Sequence, residues 1–143
     1  MKKIVLIIIV TLIGTLNLSA ENISEASRFI KLANTYIQSD NLEKADEYLN
    51  KARELIGNDN SWLGQYWSAA VDETYGNYYL KLNNTEMSKF SYTQALNKYQ
   101  KLIKMPGGSQ DAVKDLLDRY DLLEMNLNIL SGNTKTVSLD NQK

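Results

Sequence analysis

The sequence predicts an all-α fold of about five helices, and three observations support this prediction. Apolar residues recur at helical spacing over most of the chain, polar breaks separate the periodic stretches, and one ordered pattern of small and large residues occurs twice. With 143 residues, the chain is long enough for one domain with a modest core. We therefore expect helical hairpins stacked side by side, with a single helix covering the end of the stack.

The first twenty residues have the three parts of a secretory signal. Lys2 and Lys3 give a basic start, an apolar run covers residues 4–16, and Ala20 is a small residue at the exit. The run is shorter than the roughly 20 apolar residues that a membrane span needs. We expect cleavage after Ala20 and export to the periplasm or the medium. An inner-membrane anchor formed by residues 4–16 is the alternative.

The composition argues against several classes of function. The chain contains no cysteine and no histidine, so it lacks a disulfide framework and the commonest general base and metal ligand. The formal net charge is −1, which does not suggest nucleic acid as a partner. The Gly-rich nucleotide-binding motifs and the G-x-S-x-G motif are absent. We expect no enzymatic activity, no cofactor and no metal.

The first hairpin is predicted in residues 26–56. Helix one should run from about Ser24 to Gln38 and helix two from about Leu42 to Ile56, with residues 39–41 between them. Residues 57–60 form the turn that follows. Bulky residues flank the predicted helix contact at Phe29, Tyr36 and Leu49. Small residues recur where two antiparallel helices would approach closely, namely Ala33, Ala45 and Ala52.

A second unit repeats this pattern with extra residues. Ser61 can cap a helix that extends to about Leu82, residues 83–85 form a break, and another helix follows. Ala33 and Gly76 are 43 residues apart, against a period of about 34 for repeats of this kind. The surplus residues, 60–68, look helical. They should lengthen this helix by about 13 Å beyond its neighbour.

The last helix follows the strongest break in the chain, residues 105–108, which contain the only proline. It should run from Ser109 or Gln110 to about Leu130, with Gly132 as its stop and a disordered tail over residues 132–143. One apolar face would cover the second unit: Val113, Leu116, Leu117, Tyr120, Leu123, Leu127 and Leu130. The opposite side carries acidic residues, Asp111, Asp115 and Asp118, and then a second apolar stripe, Leu122, Met125 and Ile129.

The two units resemble the tetratricopeptide repeat. The first does so through Phe29, Leu32, Ala33, Asn34, Tyr36, Ala45, Tyr48, Leu49, Ala52 and Leu55, and the second through Gly76, Asn77, Tyr79, Tyr92, Ala95 and Leu96. The second unit departs from the pattern at Asp72, which stands in place of an aromatic residue, and at Ser88, which replaces alanine. The resemblance implies a right-handed helical array with repeats at about 26–59 and 69–102 and a capping helix at about 110–130.

In this family the first helix of each repeat lines a concave groove that receives a peptide. The resemblance implies that the groove residues of this sequence are Ser27, Ile30, Asn34, Ile37 and Gln38 in the first repeat and Ala70, Glu73, Asn77, Leu80 and Lys81 in the second. Continuing the second line backward by helical spacing reaches Trp62 and Tyr66, an aromatic pair suited to a binding hot spot. The favoured interpretation is instead that the extension folds over the end of helix two and buries these aromatic side chains in the core. Of the two tryptophans, both of which lie in the extension, Trp62 is the better surface candidate and Trp67 the better core candidate.

The predicted function is an exported scaffold or adaptor that binds a protein or peptide in this groove. Groove positions that hold lysine in carboxylate-binding relatives are Ile30 and Glu73 here, so capture of a free C-terminus is not expected. A structural subunit that forms a homo-oligomer through Leu122, Met125 and Ile129 is one alternative. A membrane-tethered envelope assembly factor is another, if the N-terminal segment is retained.

Overall fold

The computed structural model describes the backbone of residues 2–132 and the side chains of residues 20–132. This part of the chain forms five helices and no strand: α1 (Lys2–Gln38), α2 (Leu42–Ile56), α3 (Trp62–Lys81), α4 (Thr85–Ile103) and α5 (Gln110–Leu130). They pack as successive antiparallel hairpins, so the all-α prediction is confirmed. Residues 133–143 of the predicted disordered tail lie outside the described residues.

The helix α1 is longer than predicted, because it is continuous from Lys2 and does not begin near Ser24. Neither proline nor glycine occurs between residues 15 and 38 to interrupt it. Ile23 and Ala26 are buried with Ile30 in the first core cluster, so the helical pattern of the core extends upstream of Ser24. Among the described residues, no helix is sufficiently long and apolar to cross a membrane.

Both hairpins close with the same turn. Asp40 and Asn83 have φ angles of 57° and 55°, a left-handed conformation that short polar side chains tolerate better than most. The next residues, Asn41 and Asn84, cap the second helix, and each side chain accepts a hydrogen bond from the backbone N–H three residues further on. Because corresponding residues are 43 apart, the repeat seen in the sequence is also a repeat of backbone geometry.

Two core clusters hold the helices together. The first joins α1, α2 and α3, and the second joins α3, α4 and α5. The predicted small positions lie in the contacts between helices: Ala33, Ala45, Ala52 and Ala95 are fully buried. Gly76 is buried against the ring of Tyr92, and a Cβ atom at this position would lie 2.2 Å from the Tyr92 Cε1 atom. Side-chain size therefore sets the spacing of the hairpins, as predicted.

The extra residues of the second unit form the first turns of α3, capped by Ser61. Trp62 stacks on Tyr66 with ring centroids 5.5 Å apart, and the Trp62 Nε1–H donates to the Leu102 carbonyl at 3.3 Å. The extension does not project beyond its neighbour: Trp62 corresponds to residue 19, where α1 is still helical. The predicted overhang is wrong because α1 begins far upstream and the last turns of α4 cover the extension.

The helix α5 covers the second unit as predicted, with Ser109 as its N-cap. Leu116 and Leu123 are buried in the second cluster together with Tyr99 of α4. Leu117 is exposed, so its assignment to the packed face is wrong; it lies at the edge of that face. The second stripe, Leu122, Met125 and Ile129, is exposed.

Candidate peptide-binding surface

The odd-numbered helices run in the same direction and meet along one side of the array. The Asn34 Nδ2 of α1 donates to the Thr74 Oγ1 of α3 at 3.3 Å. At the far end of this contact, the Lys81 Nζ lies 2.8 Å from the Asp40 Oδ1. Between α3 and α5, Arg119 Nη1 pairs with Glu73 at 3.1 Å. We call the surface formed by these three helices the α1–α3–α5 face.

Two equivalent asparagines on this face are half-buried and use opposite ends of their carboxamides. The Asn34 Nδ2 donates to the Ile30 carbonyl at 3.2 Å as well as to Thr74, which leaves its Oδ1 as an acceptor. The Asn77 Oδ1 accepts from the Tyr92 hydroxyl at 2.5 Å, which leaves its Nδ2 as a donor. Among the described residues neither remaining group has a hydrogen-bond partner. The face therefore presents one acceptor and one donor.

Three other predicted groove residues are exposed at one end of the α1–α3–α5 face. Gln38 and Lys81 are exposed near the turns that close the two hairpins, and Leu80 is exposed beside Lys81. Ser27, further along α1, is partly exposed, and its hydroxyl donates to the Ser24 carbonyl at 2.8 Å. These positions leave a mixed polar and apolar surface beside the two asparagines.

Five of the predicted groove residues are buried. Ile30 and Ala70 pack together in the first core cluster, and Ile37 is buried on the same side of α1. Trp62 and Tyr66 lie in the second cluster, so the predicted exposed aromatic pair is wrong. Trp67, the predicted core residue, is only partly buried. Helical spacing places these side chains on the right helices, but packing between helices encloses them. The close approach of α1 and α3 buries Ile30 and Ala70, whereas α4 and α5 cover Trp62 and Tyr66.

Glu73 is predicted as a groove residue but serves a contact between helices. Its Oε2 accepts from the Tyr99 hydroxyl at 2.8 Å and from Arg119. Arg119 also bonds to Asp115 at 3.0 Å, one turn earlier in α5. The sequence predicted Asp115 on the acidic side of α5 and gave no role to Arg119, although their spacing of four residues is that of an intrahelical ion pair. These contacts fix α5 against α3.

Asp115 also accepts a hydrogen bond from the Tyr66 hydroxyl. This bond and the neighbouring Arg119 guanidinium hold the pKa of the Asp115 carboxyl below its ordinary value. Burial, helped by the carboxylate, raises the pKa of Tyr66 to about 12. The phenol is therefore a neutral donor at physiological pH, and the cluster is a structural connection between helices.

A second charged cluster explains the departure from the repeat pattern at Asp72. The carboxylate lies 2.6 Å from the Lys98 Nζ and 4.0 Å from the Arg53 Nη2. Lys98 also donates to the Ser68 hydroxyl at 2.8 Å. These residues line a cleft of about 150 Å³ between α2, α3 and α4. Asp72 thus connects α3 to the second helix of each hairpin, α2 and α4.

Comparison with known families agrees with this architecture. The tetratricopeptide repeat model matches residues 13–59 and 74–97. The chain carries two tetratricopeptide repeats. The first match begins at residue 13, in line with the continuous helix α1. No curated protein and no solved structure matches the chain. Tetratricopeptide repeats are typically non-enzymatic scaffolds for interactions between proteins.

Proposed function

We propose that this tetratricopeptide repeat protein is a scaffold that binds an extended peptide segment of a partner protein on its α1–α3–α5 face. The observation that carries the proposal is the pair of equivalent asparagines, with an acceptor at Asn34 and a donor at Asn77. A peptide backbone offers the complementary N–H and C=O groups at each residue. Recognition through the backbone would tolerate many partner sequences.

The contact residues that we propose are fewer than the groove residues predicted from the sequence. Ile30, Ile37, Trp62 and Tyr66 are excluded because they are buried, and Glu73 is occupied by Tyr99 and Arg119. The proposed contact residues are Asn34, Gln38, Asn77, Leu80 and Lys81. Leu80 would supply apolar contact. The Lys81 ammonium donates to Asp40 at the surface and, with three N–H donors, could also bond to an acidic side chain of the partner.

The test compares peptide affinity in a double variant and in a matched control. Peptides selected from a random displayed library on the intact protein serve as probes, and titration calorimetry measures their Kd. Asn34→Ala with Asn77→Ala should weaken binding about tenfold or more, because two hydrogen bonds worth roughly 1 kcal/mol each are lost. The control, Thr35→Ala with Thr93→Ala, changes two exposed helical residues. Circular dichroism verifies that both variants remain folded.

Two results would reject this mechanism. One is an unchanged Kd in the asparagine variant. The other is an equal loss of affinity in the threonine control, which would show that the effect does not come from the α1–α3–α5 face.

We also propose that the scaffold acts after export. The basic start at Lys2 and Lys3, the apolar run and the small residue Ala20 support this proposal. Mass spectrometry of the N-terminus, on protein purified from its native envelope, distinguishes a cleaved, exported chain from a membrane-tethered one. A chain that begins at Glu21 supports a cleaved, exported protein, whereas an intact Met1 end supports the membrane-tethered alternative.

A further inference from the structure

The helix α5 has an apolar face that no other described helix contacts. Its opposite side packs on α4, and Arg119 connects it to α3. On the free face, Leu122, Met125 and Ile129 are 50%, 52% and 55% exposed. We infer that this free α5 face binds the same face of a second copy of the chain, with the two helices antiparallel. This inference is independent of the proposed peptide-binding function.

The spacing of the three apolar residues suits a two-fold contact. Met125 lies half a residue from the midpoint between Leu122 and Ile129, so the stripe is nearly symmetric about its centre. In an antiparallel pair centred there, Leu122 lies opposite the second copy's Ile129, and the two Met125 side chains meet near the axis. A two-fold interface requires such a self-complementary patch, because both copies contribute the same surface.

The distribution of charge favours the antiparallel arrangement. The acidic residues Asp111, Asp115 and Asp118 precede the apolar stripe, in the first half of α5. In the antiparallel pair they extend past the end of the other α5 helix, so the two acidic segments lie far apart. A parallel pair would place each acidic residue beside its own equivalent, which is repulsive. At the edges of the antiparallel contact, Asp121 faces the second copy's Asn128, which can donate a hydrogen bond to it.

The contact is small. It involves about half of one helix from each copy, less than the roughly 800 Å² per partner of a standard interface. We therefore expect a weak dimer whose population depends on protein concentration. Residues flanking the stripe, such as Asn126 and Asn128, are polar, which suits an interface that opens and closes in water.

Disulfide cross-linking of the full chain tests the geometry directly, because the natural sequence contains no cysteine. A single Met125→Cys substitution should give disulfide dimers under mild oxidation, since the two thiols meet near the axis. The control Phe90→Cys, at an exposed position on α4, should not. A mixture of Leu122→Cys and Ile129→Cys chains should form the mixed dimer in large excess over either self-dimer.

Sedimentation equilibrium measures the association itself. The mass of the wild-type chain should rise from the monomer value toward twice that value between micromolar and millimolar concentration. Met125→Glu should stay monomeric throughout, with unchanged helix content, since the residue is exposed in the monomer. The control Leu63→Glu, at an exposed position on α3, should dimerise as the wild type does.

The face could instead be covered by residues 133–143 or by a different protein. Each of these cases gives a result that overturns the inference. A wild-type chain that stays monomeric, with a Met125→Cys thiol unreactive toward a maleimide, would mean that residues 133–143 cover the face. A monomer whose Met125→Cys thiol reacts would mean that the face binds a different protein. Self-dimers of the Leu122→Cys chain in excess over the mixed dimer would establish parallel pairing and reject the two-fold antiparallel contact.

Discussion

The contact between α3 and α4 is built around the missing side chain of Gly76. The Tyr92 ring occupies the space that a Cβ atom would need, and the Ser88 hydroxyl donates to the Gly76 carbonyl at 2.9 Å. Ser88 takes the place of the alanine usual in this repeat, and it is fully buried. Its hydrogen bond satisfies the hydroxyl, so the replacement is compatible with the core.

We predict that Gly76→Ala destabilises the protein by about 1–3 kcal/mol, because the new methyl group displaces Tyr92. An exposed glycine inside a helix would respond in the opposite sense, since alanine has the higher helix propensity. Urea unfolding followed by circular dichroism measures the change. In a Tyr92→Leu background the same substitution should cost clearly less. Stabilisation by Gly76→Ala in the wild-type chain would contradict the close contact.

Residue size in the sequence predicted the burial of Ala33, Ala45 and Ala52, because small residues at fixed offsets indicate helix contacts directly. The burial of Trp62 could not be predicted in this way. Its indole donates to a backbone carbonyl of α4 and packs on Gly108, where an added Cβ would lie 2.7 Å from the Trp62 Cε2 atom. These two partners are a backbone carbonyl and a glycine, so neither gives a side-chain pattern that could be recognised in the sequence.

At the scale of the elements, polar side chains as well as apolar packing hold α5 in place. Arg119 bonds to Glu73 of α3 and to Asp115 of its own helix, and Glu73 accepts a further hydrogen bond from Tyr99 of α4. Three helices therefore meet at one carboxylate. The Arg119 guanidinium is only partly exposed, so water screens its ion pairs less than those at the surface.

We predict that Arg119→Met lowers the free energy of unfolding by about 1–2 kcal/mol and loosens α5 before the rest of the array. Hydrogen exchange resolved by segment should show faster exchange in α5 than in α1. Arg28→Met is the matched control, since the Arg28–Glu25 pair is exposed and should contribute less than about 0.5 kcal/mol. Equal acceleration of exchange in α1 and α5 would contradict a local role for Arg119.

The helix boundaries were largely predictable, because capping is local. Ser61 and Ser109 each accept a hydrogen bond from the third backbone N–H beyond them, and the helices begin where these residues indicate. The beginning of α1 was not predictable from Ser24, since serine is also tolerated inside a helix that packing maintains. Burial of the Ile30 and Ile37 positions depends on how closely α1 and α3 approach, which spacing along a single helix does not specify.

At the scale of the whole molecule, buried tyrosines connect the hairpins. Burial raises the pKa of Tyr92, helped by the Glu73 carboxylate, to about 12, the same value as for Tyr66. Burial also raises the pKa values of Tyr75 and Tyr99. In the unfolded chain these phenols ionise near pH 10. Ionisation therefore favours the unfolded state over the interval between pH 10 and the raised pKa values.

We predict that the stability contributed by these tyrosines is at its full value below pH 10 and is lost as the pH rises toward 12, by about 2–3 kcal/mol for each of Tyr66 and Tyr92. Urea unfolding at a series of pH values measures the loss. Tyr92→Phe should reduce the slope above pH 10, because phenylalanine has no proton to lose. A free energy of unfolding that does not change between pH 10 and pH 12 would contradict these pKa shifts.

The folded body should not depend on the predicted signal segment. The first described side chain of the core is Ile23, so a chain that begins at Glu21 should unfold at the same urea concentration as the full chain. A chain that begins at Ser27 lacks both Ile23 and Ala26 and should lose about 2 kcal/mol or more. A large loss on removal of residues 1–20 alone would show that this segment packs on the body.

Because Trp62 is buried and stacked, its fluorescence should report on the position of α5. Its indole is enclosed by Tyr66, the Leu102 carbonyl and the Gly108 loop, whereas Trp67 is partly exposed. Detachment of α5 would hydrate one indole and leave the other nearly unchanged. The emission spectrum should then shift to longer wavelength while the far-ultraviolet signal stays constant, so that movement of a single helix can be followed without an attached dye.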